Sequence, residues 1–263
     1  MWYRMVVILL PGDVKLSAHL SMRLSRIVPI DRDFSVIASE SIPNEDVDLW
    51  IVPGTSSELP DYLPKNVNSV LIIHDLYLPG GDHVWGSPWL ESEITSIITG
   101  VENSIEKIAD TSHWLHVRDL GDVIAELVRV EKNGIPERMD VCGRREWTDD
   151  EVREEVAVLW QRFSALQSGD GVALVESMVE SQKQSTSKFE LVHVVNRESG
   201  SSGESSNSTN STGLKSGRPD LEPLHRTMMQ VNGTGFHPSI PLRTGLMEML
   251  AGILEGADGL PPV

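Results

Sequence analysis

Cysteine is almost absent from this chain: Cys142 stands alone in 263 residues. That excludes an internal disulfide and any cysteine-rich zinc site, and it fits a reducing compartment. Aromatic residues make up only 5%, with three tyrosines, Tyr3, Tyr62 and Tyr77, so chemistry built on a tyrosine base has few candidates. Basic residues are outnumbered, 22 Lys and Arg against 39 Asp and Glu, for a net charge of −17. A surface of that sign excludes non-specific nucleic-acid or anionic-membrane binding, which needs clustered cations. It leaves a nucleotide ligand open, because backbone N–H groups and one or two cations suffice. The N-terminal apolar run Met5–Leu10 is too short for a signal-peptide core or a bilayer span. No membrane contact is expected, and the sequons at Asn207, Asn210 and Asn232 are incidental. The chain is expected to be cytoplasmic.

Several catalytic signatures are missing too. The eight histidines form no His-x-x-x-His or His-Glu-x-x-His pair, so no metal is expected. There is no Gly-x-Ser-x-Gly nucleophile turn and no phosphate loop ending in Gly-Lys-Ser/Thr.

What is present alternates between strand and helix patterns. Tyr3–Leu10 is an apolar run stopped by Pro11-Gly12, as a buried parallel strand would be. Val14–Ile27 has a helical spacing of apolar residues and ends before Pro29. Phe34–Ala38, Val47–Val52 and Ser69–Ile73 are further strands, followed by a Gly/Pro-rich loop at Pro79–Pro88. Trp89–Gly100 is a helix, and Asp119–Val130 is another with Asp119 as N-cap. The capping box Thr148-x-x-Glu151 starts a third, running to about Leu166. Phe189–Val195 alternates weakly as a strand, and Leu242–Leu254 closes the chain as a helix. Between them, residues 198–217 are mostly Ser, Gly, Asn and Thr with almost no apolar content, too polar to offset their own ordering entropy, and are expected to be a disordered insertion. The order predicts an α/β fold built on a shortened Rossmann-like parallel sheet with flanking helices. A degenerate Rossmann-like core is placed at 1–130 and a small C-terminal α/β lobe at 131–263.

Four segments in order carry a resemblance. These are Val70-Leu-Ile-Ile-His-Asp-Leu-Tyr-Leu-Pro-Gly80, His113-Trp-Leu-His-Val-Arg-Asp-Leu120, Met139-Asp-Val-Cys-Gly-Arg-Arg-Glu-Trp-Thr-Asp-Asp-Glu-Val152 and Gly235-Phe-His-Pro-Ser-Ile-Pro-Leu-Arg-Thr-Gly-Leu246. In that order they resemble the extended short-chain dehydrogenases, the NAD-dependent epimerase/dehydratase family, with dTDP-glucose 4,6-dehydratase nearest. Gly217-Arg-Pro-Asp220 is similar to the family's Arg-Pro-Gly turn, which places an arginine by the nucleotide. The resemblance implies NAD as cofactor, a nucleotide sugar as ligand, a substrate-type C-terminal lobe, and a homo- or hetero-oligomer. On it, Tyr77, Arg144 and Arg218 are candidate substrate-binding residues.

The front half departs from that pattern. A dinucleotide turn wants Gly-x-Gly-x-x-Gly after the first strand, and here Gly12 is the sole glycine, followed by Asp13 where phosphates would sit. Asp31 and Asp33 stand about 20 residues on, at the spacing of a ribose-binding acid. The family's catalytic tyrosine precedes a lysine by four residues, the cation lowering the phenol pKa. The available set is Thr55, Tyr62 and Lys65, and Tyr62 and Lys65 are three apart with Pro64 between them. The family's pyrophosphate arginine falls near Ser112, and its Asn before the tyrosine turn falls at Asp75. The sequence thus points to a catalytically impaired relative of nucleotide-sugar epimerases and dehydratases that binds a nucleotide sugar or a partner. The alternative is an active NAD-dependent dehydratase or epimerase with an atypical site.

Overall fold

The first strand, β1 (Arg4–Leu9), runs beside β2 (Asp33–Ala38), β3 (Val47–Pro53), β4 (Val67–Ile73) and β8 (Arg138–Val141) in one sheet. The order is β2-β1-β3-β4-β8, and every pairing is parallel. The expected α/β class with a parallel, Rossmann-like sheet is therefore what the chain adopts. The computed structural model describes residues 4–29, 32–54, 62–78, 85, 88–101, 111–167 and 218–256. Its chain divides into two compact units, Met1–Ala157 with Arg218–Val263, and Val158–Gly217. The expected strand Phe189–Val195 and the insertion 198–217 lie outside the described residues.

Side-chain alternation covers both sheet faces. Val7, Leu9, Leu49, Ile51, Leu71 and Ile73 enter one core, while Ile8, Trp50, Val52, Val70 and Ile72 enter a second. A strand covered on both faces is buried at every position, as β3 is over all its length, Asp48 included. The first core is roofed by α1 (Val14–Ile27) and α3 (Val117–Arg129). On α1, Leu16, Leu20 and Leu24 form an i, i+4 stripe that is fully buried. Each contributes about 2 kcal/mol of apolar burial. Arg23 ties α1 to α3 through a bidentate pair with Asp122, at 2.8 and 3.0 Å.

Helix α3 begins two residues earlier than the sequence pattern indicates. Its N-cap is His116, whose ring accepts the N–H of Arg118 at 2.9 Å. Asp119, expected as the cap, is instead buried in the first turn. It accepts from Ser239 N–H at 2.9 Å, Ser239 hydroxyl at 3.0 Å and Ile240 N–H at 3.2 Å. A tertiary contact has taken over a side chain whose local preference was capping. It anchors the connection between α5 (Glu222–Asn232) and α6 (Leu242–Gly256) to α3.

The other helices are α2 (Pro88–Thr99) and α4 (Asp149–Gln167). The capping box at Thr148 forms in both directions, at 3.0 and 3.3 Å. Short strands complete the fold: β5 (Leu76–Tyr77) pairs with β7 (Leu115–His116), and β6 (Thr111–Ser112) with β9 (Trp147–Thr148). Helix α5 has no counterpart in the sequence expectation, although Pro223 inside its start and the left-handed Gly233 at its end (φ 73°) mark both limits.

Candidate functional site

In an open parallel sheet, ligands approach the carboxyl ends of the strands. At that edge β3 is followed by Gly54, β4 by His74 and Asp75, and β8 by Cys142, Gly143 and Arg144. Parallel register holds them together: His74 N–H donates to Val141 C=O at 2.9 Å, and Gly54 N–H donates to Ile73 C=O at 2.7 Å. His74 Nε2 lies 2.7 Å from Asp140 Oδ1. Asp75, held at a left-handed φ of 51°, accepts the backbone N–H of His113 at 2.6 Å. Gly143 N–H donates to His113 C=O at 2.7 Å, and a side chain at Gly143 would overlap the Trp114 carbonyl. That close approach explains the glycine.

Arg218 reaches this edge from the start of the C-terminal segment. Its positive charge acts on the Cys142 thiol and favours the thiolate. Burial nevertheless pushes the Cys142 thiol up to about 11, so it stays protonated and is a poor nucleophile. Burial also lowers the His113 imidazole, opposed by the charge of Asp75. Beyond Cys142 opens a cleft of about 470 Å³ lined by Arg144, Arg218, Asp220, His225, Phe236 and His237. Seven arginines in the described residues are ion-paired, but neither Arg144 nor Arg218 is. Arg144 and Arg218 are therefore available to an anion.

Tyr77 lies elsewhere. It is fully buried, its hydroxyl donates to Pro241 C=O at 3.4 Å, and its ring meets the His116 ring edge-on at 4.8 Å. Burial first, then the charges of Asp119 and Glu248, raise its pKa above the ordinary phenol value, so it remains a neutral phenol. His116 Nδ1 accepts from Arg118 N–H, which leaves Nε2 as the donor to Glu248 at 3.1 Å. Glu248 also pairs with the Arg118 guanidinium.

Tyr62 is 87% exposed, and Lys65 is exposed in the turn leading into β4. Thr55 lies outside the described residues, as does Asp31. The structure brings Arg144 and Arg218 together and keeps Tyr77 apart from them. The His74–Asp140 pair had no sequence signal beyond two polar residues at the ends of strand patterns.

The residues at the β1–α1 turn do not fit NAD. A dinucleotide needs free N–H groups at a helix N-terminus and a glycine turn open to its pyrophosphate. Here Asp13, 5% exposed, caps α1 and takes the Leu16 N–H at 2.7 Å. A Cβ on Gly12 would sit 2.8 Å from Ser39 N, so this turn is packed on the end of β2. Trp85 is buried and donates its indole N–H to Pro11 C=O at 2.7 Å, covering the turn at the point where strand order reverses. A carboxylate, a backbone and an indole occupy the space a pyrophosphate would need.

No protein-family model and no curated protein matches the chain. Solved structures do. A GDP-L-fucose synthetase from Naegleria fowleri aligns over 97% of this chain and 95% of its own, at 9% identity and a TM-score of 0.46. The dTDP-glucose 4,6-dehydratase of Bacillus anthracis, in complex with NAD, aligns over 97% and 98%, at 10% identity and 0.46. UDP-glucuronic acid 4-epimerase of Bacillus cereus aligns over 95% and 99%, at 10% identity and 0.47. The fold class stands on the sheet's own parallel register and strand order.

Proposed function

We propose that the protein is a divergent relative of the nucleotide-sugar epimerases and dehydratases that binds a nucleotide-sugar-type anion without running an NAD redox cycle. The observation that carries this is the pairing of Arg144 and Arg218, both without an ion-pair partner among the described residues, in one cleft of a chain with net charge −17. In so acidic a protein, unpaired arginines facing a common cavity are the natural partners of a diphosphate, which each can hold bidentately. His225 and His237 add donors at the cleft wall, and Phe236 offers an apolar ring to a base or sugar. The four sequence segments that resemble the family support the same ligand class, since Arg218 falls in its nucleotide-binding turn.

A redox role lacks support for a separate reason. The β1–α1 turn is filled from within by Asp13 and Trp85, and the neutral Tyr77 has no lysine beside it among the described residues to make a base. Ligand binding, in place of redox turnover, is the function these residues serve.

Calorimetric titration of the full chain with dTDP and UDP tests the proposal. Saturable binding that falls by about tenfold or more in Arg218→Ala and in Arg144→Ala is expected, as for a charged hydrogen bond worth ~2 kcal/mol. Binding unchanged by both substitutions, or no heat with either nucleotide, would contradict it.

A further inference from the structure

The His74–Asp140 pair sits at the carboxyl edge of the sheet and has no part in the binding role above. Its geometry is that of an oriented base. Asp140 Oδ1 accepts from His74 Nε2–H at 2.7 Å, which assigns the proton to Nε2 and the lone pair to Nδ1. Nδ1 makes no hydrogen bond among the described residues. The ring packs flat on Gly54: a Cβ there would lie 2.5 Å from Nδ1, 2.7 Å from Cε1 and 3.1 Å from Cγ. Three such similar distances put Gly54 over the ring face, so the in-plane lone pair of Nδ1 is not blocked by it. Both side chains are partly open, at 28% and 20% exposure. The backbone on either side is fixed by β4–β8 pairing, so the pair rests on rigid strands.

The pair also adjoins the anion cleft. Asp140 lies on β8 four residues before Arg144, which lines the cleft together with Arg218. His74 and Arg218 both act electrostatically on His113.

We propose that His74, positioned by Asp140, is a general base that works without metal or nicotinamide on an anionic substrate whose phosphate is held by Arg218. In that reaction a water or substrate hydroxyl gives its proton to Nδ1 and uses the freed electron pair to bond phosphorus. The bond to the leaving oxygen breaks with its own pair, and the proton passes from Nδ1 to that oxygen. No electron is gained or lost overall. The imidazolium formed in between is held by Asp140. The choice of a phosphate-bearing substrate rests on the anion cleft proposed above; the oriented base does not.

Diethyl pyrocarbonate labelling of the full-length protein, read by mass spectrometry at His74, separates the two. Nδ1 of His74 should react faster than free N-acetylhistidine. Asp140→Ala should slow the reaction by about tenfold, and Asp140→Asn, which still accepts from Nε2–H, should restore part of it. Inorganic pyrophosphate should protect His74 in the wild type but not in Arg218→Ala. An unreactive His74, or a rate indifferent to Asp140→Ala, overturns the oriented base. Reactivity without pyrophosphate protection, alongside normal dTDP binding, overturns the placement of the base at the anion site while leaving the cleft intact. Loss of both protection and dTDP binding instead removes the cleft on which the substrate class depends.

Discussion

The carboxylate of Asp13 accepts the backbone N–H of Leu16 at 2.7 Å, so the N-terminus of α1 is closed by the chain itself. A helix N-terminus that meets an anion is a favourable site for a phosphate. Here the anion is supplied internally, and a dinucleotide would have to displace it. Trp85 and the tight seat of Gly12 on Ser39 reinforce the closure.

Asp13 should therefore behave as a cap. Asp13→Ala is expected to lower stability by about 1 kcal/mol in urea denaturation, and Asp13→Asn to keep most of it, because Asn caps as well. Neither variant should gain affinity for NAD, since the Trp85 indole and the Ser39 backbone still fill the turn. A cap-null result, with Asp13→Ala as stable as the wild type, would remove the closure as an explanation.

His116 gives the fold a pH dependence. Burial lowers its pKa, with the Glu248 hydrogen bond opposing that shift. The folded value is below the unfolded one, so the unfolded chain takes up the proton first. Its contribution is fully present above the ordinary value of about 6.5 and is lost as pH falls through the folded pKa. His113, also lowered by burial, acts in the same direction. Urea midpoints measured from pH 8 down to pH 5 should fall. His116→Asn, which can still cap α3, should flatten that slope; an unchanged slope would assign it elsewhere.

Gly143→Ala should be disruptive despite its small size. The new methyl would overlap the Trp114 carbonyl, and the chain there is held by Gly143 N–H donating to His113 C=O. Backbone cannot move aside as a side chain can, so a loss of about 2–3 kcal/mol is expected in the denaturation midpoint. Because Cys142 and Arg144 flank it, dTDP affinity should fall as well. A variant with wild-type stability would contradict the close approach.

Much of this fold was legible in the sequence. The i, i+4 stripe of Leu16, Leu20 and Leu24 gives α1 with both its ends, and the Thr148–Glu151 box gives the start of α4. The apolar runs of β1, β3 and β4 show a sheet buried on both faces. Asp119 misled because a cap preference is local, whereas its three hydrogen bonds to Ser239 and Ile240 come from residues about 120 positions away. Helix α5 escaped because its apolar face is short and its limits were visible only as Pro223 and Gly233. At the site, Arg144 and Arg218 could be named from the family resemblance. Their convergence on one cleft needed the parallel register that carries β8 alongside β4. His74 and Asp140 could not be named at all, since nothing in a linear pattern joins residues 66 positions apart.

The most direct test sets NAD against a nucleoside diphosphate in one thermal-shift experiment on the full chain. With dTDP at about a hundredfold excess over its Kd, a stabilisation of ~2.7 kcal/mol is expected, a rise of roughly 5 °C in Tm. NAD at the same concentration should leave Tm unchanged, and the purified protein should carry none by mass spectrometry. A rise in Tm with NAD, or NAD retained through purification, would contradict a cofactor turn closed by Asp13 and Trp85.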